Sequence, residues 1–259
     1  MRHVHGSPIW YELLTPQPER AIAFYEAVVG WKFGDRPTDG PDYRMIIAPN
    51  GENTGGMMPL WREMIDAGAK PTWLFYIGVD DVDAAVERIT AAGGSVHLPA
   101  RDIPGVGRLA MVADPQGNTF YVMRGAVDAP STAWERTGMG KCNWNELATA
   151  NPLDGQAFYA DVFGWRYPDK MVMPDDLGDY TFIEIGGETI GAMMKINDQQ
   201  PPGWLFYFRT NDIQAAKKAV ENGGGTVLSG PMTVPGGDEV IVAGDPMGAV
   251  FGVVAPGRA

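Results

Sequence analysis

Trp10-Tyr11-Glu12-Leu13 returns as Trp144-Asn145-Glu146-Leu147, and the landmarks after each stretch follow in the same order. Phe24-Tyr25 recurs as Phe158-Tyr159, Gly30-Trp31 as Gly164-Trp165, and Gly55-Gly56-Met57-Met58 as Gly191-Ala192-Met193-Met194. Trp73-Leu74-Phe75-Tyr76 is echoed by Trp204-Leu205-Phe206-Tyr207 and Gly93-Gly94 by Gly223-Gly224-Gly225. Asp114-Pro115 with Gly117 is matched by Asp245-Pro246 with Gly248. Ordered landmarks at a nearly constant offset set the architecture before any single motif does. The chain reads as two copies of one module, 1–127 and 138–259. The polar stretch 128–137, with Pro130, Ser131 and Thr132, reads as the linker.

Composition narrows the partners. The chain has 259 residues, 45% of them hydrophobic, enough for two modules of about 125 residues with cores of their own. A net charge of −12 argues against nucleic acid, whose binders displace counterions with a basic face. It argues equally against an anionic membrane surface. Cys142 is the only cysteine, so no intramolecular disulfide is possible and a reducing compartment is the default. No N-terminal stretch resembles a signal peptide, and none approaches the roughly 20 apolar residues of a spanning helix. The expectation is a cytoplasmic protein with a small-molecule ligand, no nucleic-acid or membrane partner, and a monomeric or homodimeric state.

Within the first copy, Ile9 to Leu14 is strand-like. Ala21, Ile22, Phe24, Tyr25 and Val28 then recur at helical spacing until Gly30 stops the helix. Extended runs are expected at 32–33, 43–48, 54–58 and 72–79, with a connector reaching Lys70 between the last two. Asp80-Asp81 offers an N-cap for a helix over 82–92 that Gly93-Gly94 ends. Strands at 95–98, 108–113 and 119–123 complete the copy. The order β-α-β-β-β thus occurs twice per module and four times in the chain.

That order, the Phe-Tyr then Gly-Trp at the first helix, and Asp-Pro-x-Gly before the last strand resemble the vicinal oxygen chelate superfamily. This group includes glyoxalase I, bleomycin- and fosfomycin-resistance proteins and extradiol dioxygenases. The resemblance spans essentially the whole chain. The doubled Trp-x-Glu-Leu resembles a two-module subgroup of mycobacterial culture-filtrate antigens and proposed hydroxylases of antibiotic pathways. The resemblance implies an α+β fold of two tandem glyoxalase-like modules, each built from two β-α-β-β-β units forming half-barrel sheets.

Metal-dependent members use His, His and Glu, projecting inward from the first strand of each half-module and from the last strand. Counted from the neighbouring landmarks, those positions fall on Trp10, Leu74 and Tyr121, then on Trp144, Leu205 and Gly252. None is a metal ligand, so the expectation is no metal and no cofactor. Of three histidines, His3 and His5 lie in an N-terminal arm expected to be frayed, and His97 lies in a strand far from Trp10.

If Trp10 faces the cavity, strand alternation turns Glu12 inward too, with Cys142, Trp144 and Glu146 in the second copy. Tyr76, Tyr121, Tyr207 and Arg209 join them, and Arg108 is a further candidate ligand contact. Each half-barrel then offers an indole, a phenol and a carboxylate, the makeup of a small-molecule pocket. Glu12 and Glu146 are the candidate acids or bases, since a carboxylate held out of water beside an indole has its pKa raised. The structural alternative is that each accepts hydrogen bonds from Tyr or backbone groups, or pairs with an arginine such as Arg108 or Arg209. Trp10, Trp144, Tyr76 and Tyr207 either stack on a planar ligand or plug the space of a lost metal. The change from Tyr121 to Gly252 is expected to open space in the second copy, and Arg209 to offer an anion contact. The leading reading is a metal-free binder of an aromatic or heterocyclic molecule in one or both cavities. The alternatives are a lyase, isomerase or hydroxylase using Glu12 or Glu146, or depending on a metal at a further site, and an interaction protein with closed cavities.

Overall fold

A computed structural model describes residues 3–174, 177–197 and 202–257. The first copy runs β1 (Pro8–Thr15), α1 (Pro18–Val29), β2 (Lys32–Phe33), β3 (Arg44–Ile47), β4 (Asn53–Pro59), α2 (Arg62–Asp66), β5 (Thr72–Gly78), α3 (Val82–Ala91), β6 (Ser95–Ile103), β7 (Gly107–Ala113) and β8 (Thr119–Gly125). The second repeats this as β9 (Cys142–Thr149), α4 (Pro152–Phe163), β10 (Lys170–Val172), β11 (Asp179–Ile185), β12 (Glu188–Lys195), β13 (Gly203–Arg209), α5 (Ile213–Asn222), β14 (Thr226–Thr233), β15 (Glu239–Gly244) and β16 (Val250–Ala255). Two eight-stranded sheets result, ordered β2-β3-β4-β1-β5-β8-β7-β6 and β10-β11-β12-β9-β13-β16-β15-β14. The fold is α+β, two tandem modules with β-α-β-β-β twice in each.

Local chemistry sets the element ends. Asp81 caps α3 through the N–H of Ala84 at 3.1 Å, and Asp212 caps α5 through Gln214 at 2.8 Å. α1 and α4 each begin at a proline and end at a glycine in the left-handed region, Gly30 (φ 82°) and Gly164 (φ 73°). Two features depart from the sequence reading. The connector after β4 winds into the short helix α2, closed by an Arg62–Asp66 ion pair at 3.1 Å. β6 also continues five residues beyond Leu98, past Pro99. The β6–β7 register slips between Leu98 and Arg101, so a bulge absorbs the N–H that proline lacks.

The chain packs as two compact units. One holds Met1–Ile9, Leu74–Ser131 and Trp144–Trp204, and is called here the Glu146 unit. The other, the Glu12 unit, holds Trp10–Trp73, Thr132–Asn143 and Leu205–Ala259. Each thus combines the leading half of one copy with the trailing half of the other.

In the Glu146 unit, Tyr159 stacks on Trp165 with centroids 4.7 Å apart and the planes 11° from parallel. Its hydroxyl accepts from Trp204 Nε1 at 3.2 Å and donates to Asp114 Oδ2 at 3.2 Å. Asp114 Oδ1 in turn holds the Asp-Pro-x-Gly turn through the N–H groups of Gln116 and Asn118, both at 2.9 Å. The Glu12 unit builds the same relay: Trp73 Nε1 donates to Tyr25 at 2.9 Å, and Tyr25 to Asp245 Oδ2 at 3.1 Å. Burial pushes both phenols well above their ordinary pKa. The repeated glycines also have a task here. A β-carbon at Gly223 or Gly225 would lie 2.7 or 2.9 Å from the Phe24 ring, so their absence lets α1 seat that ring at the end of α5.

The N-terminal arm is not frayed over its described part. Gly6 N–H donates to Gly78 O and Gly78 N–H to Ser7 O, both at 2.8 Å, extending pairing along β5. The His3 ring lies over Gly78, where a β-carbon would collide with it.

Candidate functional site

β1 pairs with β4 in parallel, setting Glu12 beside Gly56. Trp10 Nε1 donates to the Tyr43 hydroxyl at 2.7 Å. That phenol lies over Gly56, where any β-carbon would clash with it, so it comes down on the residue paired with Glu12. Glu12 is buried, 1% exposed, while Trp10 keeps an accessible edge.

The Glu146 unit repeats the arrangement with a complete chain of bonds. Glu146 sits beside Ala192 on β12. Trp144 Nε1 donates to Tyr180 Oη at 2.7 Å, and that hydroxyl donates to Glu146 Oε2. Indole, phenol and carboxylate therefore form one directed series. The indole leaves the phenol oxygen with its proton to give, and the carboxylate receives it. Glu146 is 5% exposed and Trp144 again keeps an accessible edge.

The other expected site residues have definite places. Tyr76 and Tyr121 are parallel-register partners on β5 and β8, and their rings stack at 4.3 Å and 12°. In the second copy Tyr207 pairs with Gly252, and its ring covers the Gly252 Cα so that no β-carbon would fit. The Tyr-to-Gly change therefore opens no space, because Tyr207 takes it. Arg209 is committed to Asp238 through two bonds of 2.8 and 3.0 Å and reaches Asn143 Oδ1 at 3.5 Å. Arg108 bonds Asp83 twice at 2.8 Å and Asp102 at 3.2 Å. Arg108 therefore does not pair with Glu146, nor Arg209 with Glu12. Cys142 is a free, buried thiol at the start of β9, where its backbone pairs with that of Trp134. Burial works to lower the pKa of the adjacent Lys141, but Glu52 and Glu135, which hold its ammonium, together outweigh that and raise it.

Sequence reasoning missed Tyr43 and Tyr180, although a signal existed. Asp42-Tyr43 recurs as Asp179-Tyr180, a further repeated pair that immediately precedes β3 in the first copy and opens β11 in the second.

The profile of the Glyoxalase/Bleomycin resistance protein/Dioxygenase superfamily matches residues 7–122 and again 143–253. The chain belongs to this superfamily. The proposed glyoxylase CFP32 of Mycobacterium tuberculosis is 32% identical over 254 residues, covering 97% of this chain and 95% of that protein. The anthracycline biosynthesis protein DnrV of Streptomyces peucetius is 28% identical over 267 residues, covering 98% and 94%. Among solved structures, the Mn(II)-bound glyoxalase of Novosphingobium aromaticivorans superposes with a TM-score of 0.66 at 16% identity, covering 98% of this chain and 83% of that one. At that identity the likeness concerns the fold.

Superfamily membership raises the question of a divalent metal. The six positions that the resemblance assigns to ligands carry Trp10, Leu74, Tyr121, Trp144, Leu205 and Gly252. Divalent transition metals bind imidazole, thiolate or carboxylate donors. Those six positions supply none, and no three His, Cys, Asp or Glu side chains converge among the described residues. The donor set does not fit a metal at those positions. His5 Nδ1 instead accepts the Asp80 N–H at 3.2 Å, and His97 faces Ser95 at 3.4 Å. No described helix is long and apolar enough to cross a membrane.

Proposed function

We propose that this superfamily member binds a small planar aromatic or heterocyclic molecule without a metal, against Trp144, Tyr180 and Glu146 and against their counterparts Trp10, Tyr43 and Glu12. The observation that supports this reading is the Trp144–Tyr180–Glu146 series, built where metal-dependent relatives place their first ligand. An indole with an accessible edge supplies stacking surface, and a carboxylate beside it is an acceptor for an O–H or N–H of the ligand. The relatives DauV and DnrV are anthracycline biosynthesis proteins, which favours a fused-ring polyphenol as the ligand class. The single buried cysteine agrees with a reducing, cytoplasmic setting. The enzymatic alternative gives Glu146 or Glu12 the proton-accepting role toward a phenolic or enolisable ligand bound on the same indole.

Tryptophan fluorescence titrated with a hydroxyanthraquinone tests the reading in chelator-treated protein. Saturable quenching is expected, weakened about tenfold in Glu146→Gln or Glu12→Gln by loss of one charge-assisted hydrogen bond. Quenching that vanishes on chelation and returns with Mn(II) or Zn(II) would sink the metal-free reading. Conversion of the probe by wild type but not by either Gln variant would establish the enzymatic one.

A further inference from the structure

The Glu146 unit contains a second concavity, on the helix-bearing side of its sheet. Along β11 side chains alternate, so Tyr180 turns to Glu146 while Asp179 and Thr181 face the opposite way. There a cavity of about 890 Å³ opens between the start of α4 and the ends of β11 and β12, lined by Asn151, Leu153, Tyr167, Asp179, Thr181 and Lys195 among others. Its volume lies in the range of small-molecule sites.

The first copy shows what normally occupies this place. Register pairs Arg44 with Met57 and Thr181 with Met193, so Thr181 stands where the first copy has Arg44. The Arg44 side chain is only 8% exposed and bonds Glu19 at 2.6 Å and Asp42 at 3.0 Å, which plugs the space. Leu153 replaces that Glu19, and Asp179 keeps the place of Asp42. Two further differences accompany the lost plug: Phe33 becomes Tyr167 and Pro59 becomes Lys195. The second copy has thus lost a filling side chain and gained two hydrogen-bond donors around the vacated volume.

One of those donors is buried and unsatisfied, and the other stands exposed at the rim. The Tyr167 hydroxyl is buried with no hydrogen-bond partner among the described residues, and burial holds it in the protonated, donating form. Lys195 has no ion-pair partner among the described residues. Asp169, Lys170 and Asp179 also line the cavity, where Asp179 takes Lys170 Nζ at 2.7 Å and Asp169 takes the Lys170 N–H at 2.8 Å. The positive end of α4 lies at Asn151, fixed by a pair of bonds with Gln116 at 2.7 and 2.9 Å. A buried donor without a partner costs stability that a ligand acceptor would restore. Leu153, 73% exposed, offers an apolar patch at the rim.

We propose that this cavity is a second ligand site, which takes the carboxylate or phosphate head of a small molecule on Lys195 and Tyr167 while its apolar body rests on Leu153. The site is independent of the Trp144–Tyr180–Glu146 cluster, so fluorescence quenching at that cluster serves as its control.

Amide chemical shifts of the whole protein, titrated separately with sodium benzoate, inorganic phosphate and benzamide, test it. Benzoate is expected to shift the Leu153, Thr181 and Lys195 amides saturably and to bind at least about tenfold tighter than neutral benzamide. Lys195→Gln and Tyr167→Phe should each weaken benzoate about fivefold, and Thr181→Arg, which restores the plug, should abolish it. Should Thr181→Arg not fold, Lys195→Gln decides. Saturation by phosphate alone assigns a phosphate head, by benzoate alone a carboxylate. The proposal is overturned if neither anion shifts these amides, if benzamide binds as tightly as the anion that does, or if Lys195→Gln binds that anion as wild type does.

Discussion

Trp204–Tyr159–Asp114 and Trp73–Tyr25–Asp245 are one indole–phenol–carboxylate relay built twice, with unequal support for the final carboxylate. Asn118 donates its side-chain amide to Asp114 at 2.7 Å, while Ala249, in the corresponding place, gives Asp245 only its backbone N–H, at 2.9 Å. Burial accordingly pushes Asp245 above the ordinary carboxyl range, against the pull of its backbone donors. The comparison shows how much of a repeat is held in common and where the copies are free to diverge. The relay itself is fixed, because in each unit it ties the leading half of one copy to the trailing half of the other. Its accessories can vary.

Removing the carboxylate is the most severe way to break the comparison. Asp114→Ala strands the buried Tyr159 hydroxyl and the N–H groups of Gln116 and Asn118, and Asp245→Ala strands Tyr25 and two turn amides. At about 1–3 kcal/mol for a buried group left unpaired, each variant should lose roughly 3 kcal/mol of unfolding free energy. Asp114→Ala should lose more, because it also releases the Asn118 amide. Urea unfolding measures both. Losses below about 1 kcal/mol would mean that the carboxylate's bonds to the phenol and to the turn add little to stability.

The repeat made these relays partly legible. Phe-Tyr, the second Trp and Asp-Pro-x-Gly were the landmarks by which the copies were recognised, and each relay is composed of them. The exchange of halves between units was not legible. Two near-identical surfaces compete for each docking position, and local periodicity carries no information about which copy supplies it. At the candidate site, Trp10, Glu12, Trp144 and Glu146 could be placed on one strand face by alternation. Tyr43 and Tyr180 could not, since a further strand (β4 or β12) lies between each of them and the glutamate strand, and alternation assigns a face without saying which side chain reaches across it. Alternation places Arg209 on the inner face and charge alone suggests Arg108, but neither signal reveals their committed partners, Asp83, Asp102 and Asp238, which lie 25, 6 and 29 positions away along the chain. The α2 turn escaped because one helical turn carries no period to detect.

A second contrast sharpens the difference in the helix-side space, between the Arg44 plug and the Thr181 opening. Arg44→Thr removes the plug from the Glu12 unit without adding donors, since Phe33 and Pro59 remain. Its stability cost should be about 1 kcal/mol, because Glu19 is largely exposed and Asp42 keeps Arg36 at 3.4 Å. Benzoate should gain no binding there. Carboxylate binding by the Arg44→Thr unit would show that space, rather than Lys195 and Tyr167, makes the site.

The mildest test returns to the relays and uses pH. Asp245 binds its proton more tightly in the folded protein than at the ordinary carboxyl value of 3.8. Its contribution is therefore fully present below that value and falls as pH rises through the folded pKa, where the buried group must ionise. Asp245→Asn does not titrate, so the stability of wild type relative to this variant should decline from the most acidic pH tolerated toward neutrality. Each unit of upward shift contributes at most about 1.4 kcal/mol to that decline. Unfolding free energies of the pair, measured at matched ionic strength, give the slope. A difference that grows with pH would place Asp245 on the ionised side throughout, with its backbone donors outweighing burial. The missing Asn118 counterpart would then have no energetic consequence, and the two relays would differ only in composition.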